Sequence, residues 1–223
     1  MSTEQGSNDE SAVITRLGEI GVVPVVTIDR SDQAADLGAA LLSGGIPCVE
    51  VTFRTAAAAP AVEKMTVTHP DLLVGAGTVL SVAQARHAVD AGARFLMSPA
   101  FDDEIVEWCG SNGVLIVPGV MSPTEIGRAV RCGVELVKLF PAEVAGGTDA
   151  LRSFAPVFPH VRYVPTGGID ERNLSRYLEV PSVVACGGSW LAPRELIASG
   201  DFDRIEQRAI EAASIVRGAR GVR

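Results

Sequence analysis

The sequence predicts an α/β protein folded as a single (β/α)8 TIM barrel behind an N-terminal helix, and three observations carry the prediction. Eight short apolar runs recur along the 223-residue chain at spacings of roughly 20 to 30 residues. Most are near-continuous Val, Ile and Leu rather than alternating, as expected of parallel strands buried on both faces. Between them lie amphipathic stretches of about ten residues with helix start and stop signals. Strands alternating with helices imply a parallel sheet, closed as a barrel or, alternatively, open and doubly wound.

Taken in order, a polar, acidic stretch over residues 1–8 reads as a disordered tail, and residues 9–223 as one barrel domain. A helix is expected near residues 10–19. The strand-like runs are 22–28, 47–53, 72–78, 94–99, 114–120, 135–141, 162–166 and 183–187. Ser31-Asp32 is placed to cap a helix over 33–42 that stops at Gly44-Gly45. Ser81 can cap 82–91, ending at Gly92, and Ser122-Pro123 opens 124–132, ending at Gly133. Asp170 begins a segment that runs to Leu178. The alanines at 56–59 are helix-forming sequence, and no linker or low-complexity segment divides the chain.

Composition narrows the function. Apolar residues make up 47%, ample for a core and too many for a disordered chain. No apolar run approaches the ~20 residues that span a bilayer, so no membrane partner is expected. The opening residues lack a basic start and an apolar block, which points away from a secretory signal and toward the cytoplasm. A net charge of −8 without a long basic patch argues against nucleic acid. Cys48, Cys109, Cys132 and Cys186 lie far apart inside apolar segments, the pattern of buried, reduced thiols. Of His69, His87 and His160, only His87 has a carboxylate at helical spacing, Asp90, and no third ligand is near that pair. No metal site and no cofactor are expected.

In a parallel barrel the functional residues collect at the carboxyl ends of the strands. Glu50 lies inside the second run with Val on both sides, where a carboxylate is costly to bury without a partner. It is either half of a structural ion pair or a catalytic group. Arg54 ends that run and could pair with Glu50 or hold a substrate carboxylate through its planar fork. Lys138 is the sharpest signal. The chain has only two lysines, and Lys64 follows Glu63 on a polar helix face. Lys138 instead sits in the apolar run Leu-Val-Lys-Leu-Phe-Pro. An arginine buried there would stay charged, whereas a desolvated lysine can present a neutral amine that attacks a ketone. Gly167-Gly168 follows the seventh run and Gly187-Gly188 the eighth, where barrel loops commonly offer backbone amides to phosphate. Gly75 and Gly77, with Thr78, could likewise bring amides and a hydroxyl close to a ligand.

These residues fall into motifs that resemble a known family. Glu-Val-Thr-Phe-Arg-Thr (50–55), Val-Gly-Ala-Gly-Thr-Val-Leu (74–80), Val-Lys-Leu-Phe-Pro-Ala-Glu (137–143), Pro-Thr-Gly-Gly-Ile (165–169) and Gly-Gly-Ser-Trp-Leu (187–191) are similar to the 2-keto-3-deoxy-6-phosphogluconate (KDPG) aldolases. Those overlap with the 4-hydroxy-2-oxoglutarate (KHG) aldolases. The likeness runs from about residue 22 to 203, in the family's order. It implies a class I lyase on a TIM barrel, with Lys138 forming a Schiff base and Glu50 transferring protons. Arg54 and Thr78 would bind the pyruvyl carboxylate, and Gly167, Gly168 and Ser189 the phosphate. Pro99 and Phe140 would line the pocket, with Thr166, Gly187 and Gly188 also on the substrate. The substrate implied is a phosphorylated 2-keto acid, cleaved in the manner of the Entner–Doudoroff pathway, and the assembly a cytosolic homotrimer that needs no metal. Ala100 and Leu139 depart from the family pattern of Gly and Phe, which bears on pocket shape.

Three other readings compete. A galactonate-type aldolase shares the lysine and differs in the C4 configuration accepted; Arg54-Thr55 favours the gluconate type. A pyridoxal phosphate protein would also combine a lysine with a phosphate site. A silent phosphate-binding barrel would need neither Lys138 nor Glu50 at an apolar position.

Overall fold

The computed structural model describes residues 2–221, with side-chain surroundings from residue 10 onward. Helix α1 (Ser2–Ile20) leads into β1 (Val22–Val26), a single 3-10 turn (Ser31–Gln33) and α2 (Ala34–Ser43). Then come β2 (Cys48–Thr52), α3 (Ala58–Thr68), β3 (Leu73–Gly77), α4 (Val82–Asp90), β4 (Phe95–Met97) and α5 (Asp103–Asn112). The second half holds β5 (Leu115–Val117), β6 (Gly119–Val120), α6 (Pro123–Arg131), β7 (Leu136–Leu139), α7 (Gly147–Phe154) and β8 (Arg162–Tyr163). It closes with α8 (Leu174–Leu178), β9 (Cys186–Gly188), α9 (Arg194–Ser199) and α10 (Phe202–Arg220). No helix among the described residues is long and apolar enough to cross a membrane.

Every strand pairing is parallel. One sheet has the order β5-β4-β3-β2-β1-β9 and the other β6-β7-β8. Isolated parallel bridges, Tyr163 with Val183 and Thr166 with Gly187, tie β8 and the residues just after it to β9 and the residues just before it. Strands β2 and β7 are buried along their full length, which explains why their sequences show no alternation. The sheet is curled, so that side chains of β2 and β7 meet across its concave face. This is the α/β architecture of parallel strands and returning helices that the apolar periodicity implies.

Several local expectations are corrected. The run 114–120 is two short strands because Pro118 has no N–H to give the ladder, and the run 162–166 stops at Tyr163, with Pro165 next in the way. Helix α1 is described from Ser2, and its far half docks through Val13, Leu17 and Ile20. Ser31-Asp32 does not cap α2; those residues form the 3-10 turn, and Asp32 pairs with Arg30. Asp170 does not start α8. Its carboxylate accepts from the Arg172 N–H in a local turn, and the helix begins at Leu174. Ser81 and Ser122 do cap α4 and α6, the latter in a reciprocal capping box with Glu125. Cys48, Cys109 and Cys186 are buried, but Cys132, at the C-cap of α6, is exposed.

Candidate active site

The two residues that the sequence isolates as misplaced charges are each other's partner. Glu50 sits on β2 with no exposed surface, and Lys138 sits on β7 at 5% exposure. The Lys138 Nζ donates to Glu50 Oε1 at 3.1 Å and lies 3.5 Å from Oε2. Eighty-eight residues separate them in the chain. A buried pair of this kind is weak support for stability, because desolvating two charges offsets much of their attraction. An apolar pair would fill the same space more simply, so the pair points to chemistry. Phe140, two residues beyond Lys138, lies with its ring centroid 5.5 Å from Nζ. Lys64 is exposed on α3 and reaches the Asp32 carbonyl, at 3.4 Å.

The floor of the site is made by absent side chains. A Cβ on Gly77 would stand 1.9 Å from Glu50 Oε1, inside the carboxylate. Gly77 pairs with Thr52 on the neighbouring strand, so glycine at this register is what lets Glu50 lie across β3 toward Lys138. Gly119 pairs with Lys138, and a Cβ there would stand 2.2 Å from the Pro99 carbonyl oxygen. The backbone at Pro99 therefore comes over the strand next to the lysine.

At the carboxyl end of β3, Thr78 has φ 55°, left-handed for a β-branched residue. Such a conformation costs about 1–3 kcal/mol and persists where surrounding structure imposes it, commonly beside a functional site. Arg54 follows β2; the Phe53 amide ties the chain there to Gly77, the residue before Thr78. Arg54 is exposed and has no ion-pair partner among the described residues, unlike Arg30, Arg128, Arg172 and Arg194, which each hold an aspartate. It does not pair with Glu50, whose carboxylate is taken by Lys138. An unpartnered guanidinium at the mouth can accept an anion.

The two glycine pairs come together on the other side of the mouth. Thr166 bridges to Gly187, and a Cβ on Gly187 would stand 2.2 Å from Thr166 Oγ1. Gly168 is exposed and Gly167 half-buried. Gly188 lies under the Trp190 ring, leaving Ser189 exposed between them. Among the described residues, the backbone N–H groups of Gly167, Gly168 and Ser189 donate to no protein acceptor. Backbone amides left free in turns can receive an anion. The sequence reading did not single out Glu143, which packs on Gly168 and accepts a hydrogen bond from the Tyr177 hydroxyl. Nor did it find Arg208, which donates to the Trp190 carbonyl. Neither has a local signal, since each partner is distant in the chain. Leu139 is fully buried, and by strand alternation it faces away from Lys138. Ala100 is exposed, with its carbonyl accepting from Ser98.

A lysine amine against a carboxylate, with a free guanidinium on one side and free amides on the other, belongs to the class of lysine-based lyases on curled parallel sheets. The chain is a member of the KDPG and KHG aldolase family, which it matches over residues 13–208. It is 46% identical to the 2-dehydro-3-deoxy-phosphogluconate aldolase of Treponema pallidum over 204 residues, 92% of this chain and 97% of that one. Among solved structures, the KDPG aldolase of Legionella pneumophila superposes with a TM-score of 0.84 at 38% identity, covering 88% of this chain and 97% of that one. That enzyme was captured with pyruvate as a covalent carbinolamine intermediate. The 2-keto-3-deoxy-6-phosphogluconate aldolase of Zymomonas mobilis ZM4, solved with 3-phosphoglycerate, gives 0.85 at 35% identity, covering 92% and 97%.

Proposed function

We propose that this protein is a class I aldolase that cleaves 2-keto-3-deoxy-6-phosphogluconate into pyruvate and glyceraldehyde 3-phosphate. The observation that carries the proposal is the buried contact of 3.1 Å between Lys138 and Glu50. Lys138, as the free amine, adds to the C2 ketone. Glu50 delivers a proton to the carbinolamine oxygen, which leaves as water and creates an iminium. With the iminium as electron sink, Glu50 takes the C4 hydroxyl proton as the C3–C4 bond breaks. The aldehyde departs, and the enamine is reprotonated at C3 and hydrolysed to release pyruvate and the amine. In this reading Arg54 and Thr78 hold the C1 carboxylate, and Phe140 and Pro99 bound the pyruvyl pocket. The phosphate is received by Gly167, Gly168 and Ser189, backed by Thr166, Gly187 and Gly188.

The reading extends to the fold. Treating β5 and β6 as one strand interrupted at Pro118, and the bridges from the β8 segment as a further pairing, gives eight parallel strands in a closed barrel. The bridges at Tyr163 and Thr166, and the meeting of β2 with β7, support closure. It also includes the homotrimer: Leu80, Met121 and Val144 are exposed apolar side chains on loops at the mouth, suited to cover by another copy.

The test is direct. Purified protein supplied with 2-keto-3-deoxy-6-phosphogluconate should release pyruvate, read by coupling to lactate dehydrogenase, and should act more slowly on the C4 epimer. No pyruvate from either epimer would overturn the proposal. Replacing Ser189 with Glu sets a negative charge among the phosphate amides. Losing a charge-assisted contact costs about 1.5–3 kcal/mol, so kcat/KM should fall at least ~10-fold. Borohydride trapping of pyruvate on Lys138 should be unaffected, because pyruvate carries no phosphate. Equal slowing of both reactions in a folded variant would remove Ser189 from the phosphate site.

Gly77→Ala supplies another expected result. Its methyl would occupy the space of the Glu50 carboxylate, which must then swing away from Lys138. A displacement on the order of 1 Å at a reacting group costs about 10²-fold in rate. Cleavage and pyruvate trapping should therefore both fall by that order while the circular dichroism spectrum stays native. A fully active Gly77→Ala enzyme would show that the carboxylate need not lie where it does.

A further inference from the structure

We infer that Thr27, at the end of β1, is a specificity-determining residue that accepts a hydrogen bond from the C5 hydroxyl of the substrate. The inference rests on the aldolase reading above and adds a residue that reading does not use. Thr27 is the sole polar side chain in the run 22–28. The register pairs Val25 with Glu50, so Val25 shares the concave face with the carboxylate, and Thr27 follows on that face one step nearer the mouth. Exposure agrees: Val25 and Thr27 are half-buried, while Pro24, Val26 and Ile28 around them are buried.

Proton placement gives Thr27 its polarity. The Thr52 hydroxyl donates its single proton to the Val26 carbonyl at 2.9 Å. The contact of 2.9 Å between the Thr27 and Thr52 hydroxyls must then have Thr27 as donor. Its own oxygen is left with lone pairs toward the mouth, and it can serve a ligand only as an acceptor. The fitting partner is therefore an O–H.

Sheet order says which one. Strand β1 lies between β9, which carries the Ser189 loop, and β2, which carries Glu50 and leads to Arg54. A six-carbon substrate stretched from the carboxylate site to the phosphate site passes β1 between C4 and C6. The C4 hydroxyl is claimed by Glu50, so the group opposite Thr27 is the C5 hydroxyl. The related substrate 4-hydroxy-2-oxoglutarate has a carboxylate at C5 and no hydroxyl there.

Thr27→Val keeps the shape and removes the acceptor. We expect kcat/KM on 2-keto-3-deoxy-6-phosphogluconate to fall about tenfold, the scale of one buried hydrogen bond with its donor left unpaired. Cleavage of 4-hydroxy-2-oxoglutarate and borohydride trapping of pyruvate by the same preparation should be unchanged, and Thr27→Ser should restore the phosphorylated substrate. Equal losses on both substrates, or no loss on the phosphorylated one, would overturn the assignment. Wild-type protein inactive on the phosphorylated substrate would instead signal failure of the aldolase reading itself.

Discussion

Lys138→Arg is expected to abolish both cleavage and pyruvate trapping. A guanidinium keeps a positive charge near that of the ammonium and can still reach Glu50, so the buried pair need not be left half-empty. What it cannot do is lose a proton at neutral pH, add to a ketone and form an imine. The loss should therefore be in chemistry rather than in folding, and the rate should drop to the detection limit of the assay. The matching experiment on the wild type is borohydride reduction in the presence of pyruvate, followed by peptide mapping. One pyruvate-derived adduct should appear on the peptide carrying Lys138 and none on the peptide carrying Lys64, the other lysine. Lys64 is exposed to solvent and lies against the backbone carbonyl of Asp32, whose own carboxylate is held by Arg30. Cleavage retained in Lys138→Arg, or an adduct at Lys64, would exclude the Schiff base at this position.

Glu50→Gln should cost nearly as much, by a different route. The amide preserves the volume that Gly77 leaves open and can still accept a hydrogen bond from Lys138, so the amine stays placed. It can neither deliver a proton to the carbinolamine oxygen nor remove one from the C4 hydroxyl. General acid–base assistance contributes about 10²- to 10⁴-fold per step, and kcat should fall by that order or more. Trapping of pyruvate should slow as well, because dehydration of the carbinolamine needs the same proton. That double effect separates Glu50 from Ser189, whose replacement spares trapping. A folded Glu50→Gln enzyme with kcat close to wild type would assign the proton transfers elsewhere.

Much of this was legible in the sequence. The eight apolar runs were sufficient for the architecture because parallel strands bury both faces, and such burial leaves unbroken Val, Ile and Leu. The same uniformity made Glu50 and Lys138 conspicuous, since a charge inside an apolar run needs a reason. Strand ends were legible less well. Pro118 and Pro165 interrupt the backbone ladder while fitting the apolar pattern, so the runs 114–120 and 162–166 overstate their strands. Helix caps were legible where the whole signal is local, as at Ser122 with Glu125. At Ser31-Asp32 an arginine next door captured the aspartate first.

The sequence by itself determined the class of fold, the two charges set inside apolar runs and the glycine loops at the strand ends, because burial periodicity and turn chemistry are written in neighbouring residues. Only the tertiary structure decided which groups face one another. Glu50 and Lys138 are 88 positions apart and become partners only when the sheet curls β2 toward β7. Gly77 reads as turn or ligand chemistry until the carboxylate is seen lying where its side chain would be. Thr27 is an ordinary strand threonine until the sheet order puts it between β2 and β9 and the hydroxyl chain fixes the direction of its proton. These are contacts between strands, and strand-to-strand register is set by the packing of the whole sheet, which no local stretch of sequence encodes.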